Sequence, residues 1–228
     1  QLKQNLNQNS HICLIYFREV EKMKKIILHL CADIGSDSRY FQLDDEFEVI
    51  KIGKDIGVEN YHPPKNVFGV IANPVCTEFS IAKGFHINGD LEKGMFLVNH
   101  CIRIIKECSP KFWVIENPAT GKLKDFLGKP NFIYQPWEFG SPWTKKTALW
   151  GSFNMPIKTF SKWEDLEKIE SLYIRGNRKK PSLVYLHKND KYKIKEWDWA
   201  YDLINDDMSL RSMCSDGFAK AFYEANKA

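Results

Sequence analysis

The chain has 228 residues, a length that suits one domain with at most a small appendage. Hydrophobic residues make up 43% and the formal charge is only +4, so a packed core can form and charge alone does not mark a polyanion binder. The six cysteines include no Cys-x-x-Cys pair, which argues against a zinc ribbon, and the apolar runs are too short to cross a bilayer.

Residues 1–22 begin with a Gln/Asn-rich stretch and end just before Met23-Lys24-Lys25. This segment reads as an extension outside the functional core and is expected to be poorly ordered. No secretory signal is evident, so the cysteines are expected to be reduced and the protein cytoplasmic.

From Lys25 the chain alternates strand and helix signals. Residues 25–30 form a short apolar strand, ending in the small-residue turn Cys31-Ala32-Asp33-Ile34-Gly35-Ser36, where Gly35 is free to take unusual dihedrals. Residues 47–52 and 67–72 read as two further strands, the second running into Asn73-Pro74-Val75-Cys76. Residues 90–108 read as a helix capped by Asp90, with Leu91, Met95, Val98, Cys101, Ile102 and Ile105 near one face and Pro110 just past the end. Residues 112–115 form a fourth strand that ends at Glu116.

The pattern weakens beyond residue 151. A helix is predicted from Ser161 to Ile174, with Glu164 in capping-box position. Arg175 to Lys180 is a basic loop, and Ser215 to Lys227 reads as a final helix with Phe218, Ala221 and Phe222 on one side. Strands separated by crossovers imply an α/β fold, a largely parallel sheet with helices packed on it. Ligand residues in such sheets gather at the carboxyl ends of strands. Gly35, Cys76 and Glu116 each follow a predicted strand, so three separate segments point to one sheet edge.

The chemistry of that edge is specific. A thiolate is a strong, soft nucleophile that can add to a ring carbon. A carboxyl can protonate or hydrogen-bond a ring nitrogen and make that carbon electrophilic. The bland alternatives are a cysteine that is merely a small buried hydrophobe and a glutamate that caps a helix or pairs with a lysine.

Pro74-Val75-Cys76-Thr77-Glu78-Phe79-Ser80 resembles the Pro-Pro-Cys-x-x-Phe-Ser loop of cytosine-C5 DNA methyltransferases, and Glu116-Asn117-Pro118 resembles their Glu-Asn-Val tripeptide. Gly140 to Gly151 is similar to a segment of compact phage-type members, and Arg211-Ser212 with Gly217 to Phe222 and Asn226 is similar to their closing helix. The resemblance implies a Rossmann-like sheet with helices on both faces and a methyl donor, S-adenosylmethionine. It implies DNA as partner, with a flipped or single-stranded cytosine, and a monomer in a bacterial host, encoded by a phage or prophage. It implies that Cys76 attacks C6 and that Glu116 contacts N3 and the exocyclic amine, while a base later removes the C5 proton. Lys145 and Lys146 would hold the substrate near the base or phosphate. Thr77, Phe79, Ser80, Asn117, Pro118 and Thr147 would line the substrate. Cys31, Ala32, Asp33, Ile34, Gly35, Asp55, Asn73 and Pro74 would hold the donor. No metal is expected.

Several positions depart from the pattern. Ala32 stands where one glycine is expected, Val75 replaces a second proline, and no acid closes the third strand among Phe68, Gly69 and Val70. Gly53 stands where an acid is expected at the end of the second strand, with Asp55 two positions later. The expected organisation is a catalytic core over 23–151, a small variable region over 152–210 in place of a large target-recognition domain, and a C-terminal helix over 211–228 packing back on the core. Two rival readings follow: a related pyrimidine C5-modifying enzyme acting on RNA or nucleotides, and a cofactor-deficient relative that binds nucleic acid without catalysis.

Overall fold

The computed structural model describes residues 23–79 and 90–228. The extension 1–22 and position 80 lie outside the described residues. Six strands form one sheet: β1 (Lys25–Leu30), β2 (Phe47–Ile52), β3 (Val67–Ala72), β4 (Phe112–Pro118), β5 (Phe132–Tyr134) and β6 (Thr147–Ser152). Their order is β2-β1-β3-β4-β6-β5. The first four are mutually parallel, and β6 and β5 close the sheet antiparallel.

β1 and β3 carry near-continuous apolar sequence because both of their faces are covered. On one face Leu28, Leu30, Val70, Ala72, Ile115, Ala148 and Trp150 pack under α2 (Leu91–Cys108). This helix forms as its sequence predicts: the Asp90 carboxylate accepts from Lys93 N at 2.9 Å, and Val98, Cys101, Ile104 and Ile105 make one buried stripe. On the other face Ile27, Ile71, Val114 and Leu149 meet Phe41 of α1 (Arg39–Leu43) and Phe218, Ala219 and Phe222 of α5 (Asp216–Asn226). The Ser215 hydroxyl caps α5, accepting from Phe218 N at 3.1 Å. Two further short helices, α3 (Lys124–Leu127) and α4 (Asp207–Ser212), complete the set.

A separate cluster joins Trp143, Leu172, Leu183, Leu186, Ile194, Trp197, Ile204, Leu210 and Met213, and Ile34 of the turn after β1 packs against it. This lobe is built from short 3-10 segments and α4, not from the predicted helix over Ser161–Ile174, of which only Trp163–Asp165 is helical. The reason is the period. Trp163, Leu166, Ile169 and Leu172 recur every third residue, and such a stripe drifts about 60° round an α-helix at each step. Three of the four are buried by an irregular path instead.

Candidate active site

The strand order reverses direction between β1 and β3, and that switch point is where open α/β sheets bind ligands. Register decides which side chains meet there. Leu30 pairs with Ala72, and Ala72 pairs with Ile115. One step on, Asn73 just past β3 and Glu116 within β4 lie side by side on the face that also carries His29. Because β6 is antiparallel to β4, its first residue Thr147 pairs with Pro118. Lys145 therefore arrives at the same edge from the opposite direction.

A hydrogen-bonded chain crosses this edge. Ser38 Oγ lies 2.8 Å from His29 Nδ1, and His29 Nε2 lies 2.8 Å from Asn73 Oδ1. Asn73 Nδ2 donates to both Asp37 Oδ2 and Glu116 Oε2, each at 3.3 Å. The amide must show its nitrogen to the two carboxyls and its oxygen to the histidine. His29 then carries its proton on Nε2, and Nδ1 accepts from the Ser38 hydroxyl. Burial lowers the His29 pKa to about 4, against the opposing Asp33 charge and Asn73 bond, so the ring is neutral at physiological pH.

Four groups share the field at the centre. Burial pushes the Cys76 thiol up, the Glu116 charge adds to this, and Lys145 pulls the other way. Burial also raises Asp37, to about 7, with Glu116 reinforcing and Lys145 opposing. Lys145 itself would be lowered by burial, but the charges of Glu116 and Asp37 outweigh that and raise it. Its ammonium also donates to Ser212 O at 3.3 Å, and its backbone N–H to Gln135 Oε1 at 3.1 Å.

The Cys76 loop is fixed from below. Asn117, 1% exposed, donates through Nδ2 to Pro74 O at 2.9 Å. Phe79 N donates to Cys76 O at 3.1 Å, and the Phe79 ring is buried in the core under α2. Phe79 therefore anchors the loop and faces away from the open edge. Thr77 stays half-buried beside Cys76. Pro118 is half-buried, and Thr147 is buried and donates to Lys145 O at 2.9 Å. Lys146 is exposed, with its carbonyl accepting from Ala119 N at 2.9 Å.

The turn after β1 lies beside this cluster. Gly35 takes φ +89°, a left-handed conformation that favours glycine, and starts the short 3-10 turn that carries Asp37. Asp33 is exposed, and its carboxylate accepts from Gly35 N at 3.4 Å. Cys31 and Ala32 are half-buried, and Cys31 Sγ lies 3.8 Å from Cys101 Sγ. At the end of β2, a Cβ on Gly53 would meet Asp55 Oδ1 at 2.9 Å and Ala32 O at 3.2 Å. The missing side chain thus leaves room for the Asp55 carboxylate to fold back toward the turn.

Cys76, Glu116, Lys145 and Asn73 meet in one cluster, with Asp37, His29 and Cys214 added to what the motifs indicated. Asp37 had a faint signal as an acid just past the Gly35 turn, and His29 a clearer one as the polar residue in an apolar strand. Lys146 and Phe79 stand apart from the cluster. Among the described residues no group of three or more His, Cys, Asp or Glu side chains could hold a metal ion. A cavity of about 490 Å³ lies on the α2 face, lined by Ile102, Ile105, Trp113, Ile115, Leu127 and Trp150, and holds none of these groups.

Fold and site together define an α/β protein with a cysteine thiol, two carboxyls and a lysine at the switch point of its sheet. No family model matches the chain. It is similar to a Frog virus 3 (isolate Goorha) protein described as a DNA (cytosine-5)-methyltransferase, 31% identical over 104 residues, covering 38% of this chain. The chain spans 47% of that relative, about half its length. Among solved structures it is similar to a protein described as a DNA modification methyltransferase encoded within an E. coli prophage. That match has a TM-score of 0.46 and 14% identity, covering 64% of this chain and 53% of the other.

Proposed function

We propose that the protein transfers a methyl group from S-adenosylmethionine to C5 of cytosine in DNA. The observation that carries this reading is the convergence of Cys76, Glu116 and Lys145 on one field at the sheet's switch point. The sequence likeness to a viral protein described as a cytosine-5 methyltransferase supports the same chemistry.

Cytosine C5 is a poor nucleophile. Attack of the Cys76 thiolate on C6 forms a C–S bond and moves electron density to C5. Glu116 holds N3 and the exocyclic amine, drawing density from the ring so that C6 accepts the thiolate. Lys145 offsets the negative charge that gathers as the thiolate forms. Once C5 has taken the methyl group that the bound donor would supply, a base takes the C5 proton and the thiolate leaves, restoring the ring. The target must be flipped out or single-stranded, because C6 is unreachable within the stack.

The residues fit the donor. Gly35 lets the backbone turn sharply after β1, and Gly53 admits Asp55 beside Ala32, giving an acid where ribose hydroxyls would need one. Cys31, Ala32, Asp33, Ile34, Gly35 and Asp55, with Asn73 and Pro74, would hold the donor. When bound it supplies an electrophilic methyl group. Thr77, Ser80, Asn117, Pro118 and Thr147 would line the cytosine. Lys146, exposed beside Lys145, would reach a phosphate.

DNA is the partner this reading requires. Residues 152–210 would act as a small contact region in place of a large target-recognition domain, with the core over 23–151 and the closing helix behind it. A monomer acting in a bacterial host cell, of phage or prophage origin and serving DNA modification, is the setting that fits. No helix of the described residues is long and apolar enough to cross a membrane.

The test is transfer of a labelled methyl group from S-adenosylmethionine to cytosine-containing DNA by purified protein. Wild type should label the DNA, Cys76→Ser should not, and DNA with 5-fluorocytosine should trap a covalent adduct through Cys76. Equal behaviour of wild type and Cys76→Ser would overturn the proposal.

A further inference from the structure

The reading above leaves Asp37 without a role, yet Asp37 lies among the charged groups at the centre of the site. Its carboxyl and that of Glu116 accept from the same Asn73 amide nitrogen, each at 3.3 Å. The amide cannot turn away, because His29 holds its oxygen at 2.8 Å and Ser38 holds His29. The groups facing Asp37 come from every surrounding element: Glu116 on β4, Lys145 before β6, Cys214 ahead of α5, and Asp33 in the turn after β1. Tyr134 of β5 lies in the same field. Only Lys145 among them is cationic, so two ionised carboxyls would face one ammonium beside a thiol that must itself become negative. Such a pair holds on to one proton.

We propose that Asp37 is the proton-holding partner of Glu116: the two carboxyls, joined through the Asn73 amide, share a single proton that is delivered to N3 of the pyrimidine ring. The proposal rests on the methyltransferase reading for its substrate but not for the pair itself. In the step, a carboxyl O–H bond breaks and an N3–H bond forms, with the electron pair staying on the carboxylate. With the thiolate added to C6 the N3-protonated ring is neutral, and Lys145 faces the two carboxylates. When the thiolate is expelled, N3 returns the proton to the pair. Asp37 is thus a positioning residue acting through Glu116, and its raised pKa of about 7 agrees with this arrangement.

A carboxyl-carbon NMR titration of the full chain, labelled at Asp and Glu and assigned through the backbone, tests the pair without any need for activity. Asp37 should titrate near pH 7, the value to which its pKa is raised. In Glu116→Gln its midpoint should fall by about one unit or more, because the partner's charge is gone. An Asp37 midpoint in the ordinary carboxylate range, or one that Glu116→Gln leaves in place, would sink the proposal; the second result would mean burial alone. For methyl transfer, Asp37→Asn should be slowed at neutral pH and recover as pH is lowered and protons become more available to the site. A uniform loss at all pH values would mean a merely structural role and would also overturn it. Absence of methyl transfer in wild type with the titration intact would refute the functional reading and leave the shared proton standing.

Discussion

At rest Cys76 is held as a thiol, since burial and the Glu116 charge both oppose its ionisation and Lys145 favours it. The balance turns on one ammonium. Lys145→Met should raise the Cys76 pKa further and slow its alkylation by iodoacetamide at neutral pH by about tenfold or more, since each unit is a factor of ten in thiolate below the pKa. Lys145→Arg should keep most of the rate, with a loss from altered geometry, because both side chains carry the charge but differ in shape. Alkylation read at the Cys76 peptide by mass spectrometry checks both variants. An unchanged rate in Lys145→Met would mean that the lysine does not govern the nucleophile. Cys76 and Glu116 were legible as a pair because their flanking residues are distinctive. Asp37 was not, because its place just past the Gly35 turn marks it only faintly; its chemistry comes from β4, the segment before β6 and the approach to α5.

Elements place these residues, and α5 packs with no room to spare at its first turn. Its second residue, Gly217, sits against the backbone of Phe139, and a Cβ there would collide with the Phe139 carbonyl oxygen. The helix also carries Phe218, whose ring stacks on Tyr134 at 4.0 Å, and Asp216, which binds Arg39 at 2.5 Å and Tyr40 at 2.7 Å. Gly217→Ala should push the helix off the sheet and destabilise the fold by about 1–3 kcal/mol, the usual cost of overpacking. Thermal unfolding measures this, and an unaltered midpoint would show that α5 can shift freely. Strand and helix elements on the sheet were readable from apolar runs and the Asp90 cap, since those signals are local. β5 and β6 were not, because Phe132–Tyr134 is short and Thr147–Ser152 takes its place only by pairing with β4.

Across the whole molecule, the lobe built on Trp143, Leu183 and Trp197 presents a basic loop. Arg175 and Arg178 each stack at 4.9 Å on the Tyr185 ring, and both are exposed. Lys180 lies 4.7 Å from the Trp137 ring and 4.9 Å from the Trp163 ring. Rings that hold cations in place while leaving them open to solvent favour contact with a phosphate backbone. Replacing Arg175 and Arg178 together by Ala should weaken DNA binding and lower the slope of log affinity against log salt by roughly two, as each phosphate contact contributes about 0.9. Fluorescence anisotropy across a salt series measures this, and an unchanged slope would exclude the loop from the interface.

The sequence by itself determined the four parallel strands and the capped α2 helix, and singled out Cys76 and Glu116, because hydrophobic period, capping residues and a cysteine's neighbours are all written within short windows; that Glu116-Asn117-Pro118 continues β4 came from its pairing with β6. Only the tertiary structure decided that β6 runs antiparallel to β4 and brings Lys145 to the switch point. It alone turned the predicted helix over Ser161–Ile174 into irregular chain, since a three-residue apolar period is satisfied by burial against the lobe and not by a helix face. It alone joined His29, Asn73, Asp37 and Glu116 into one hydrogen-bonded chain, because these residues come from β1, the end of β3, β4 and a turn, whose meeting depends on register.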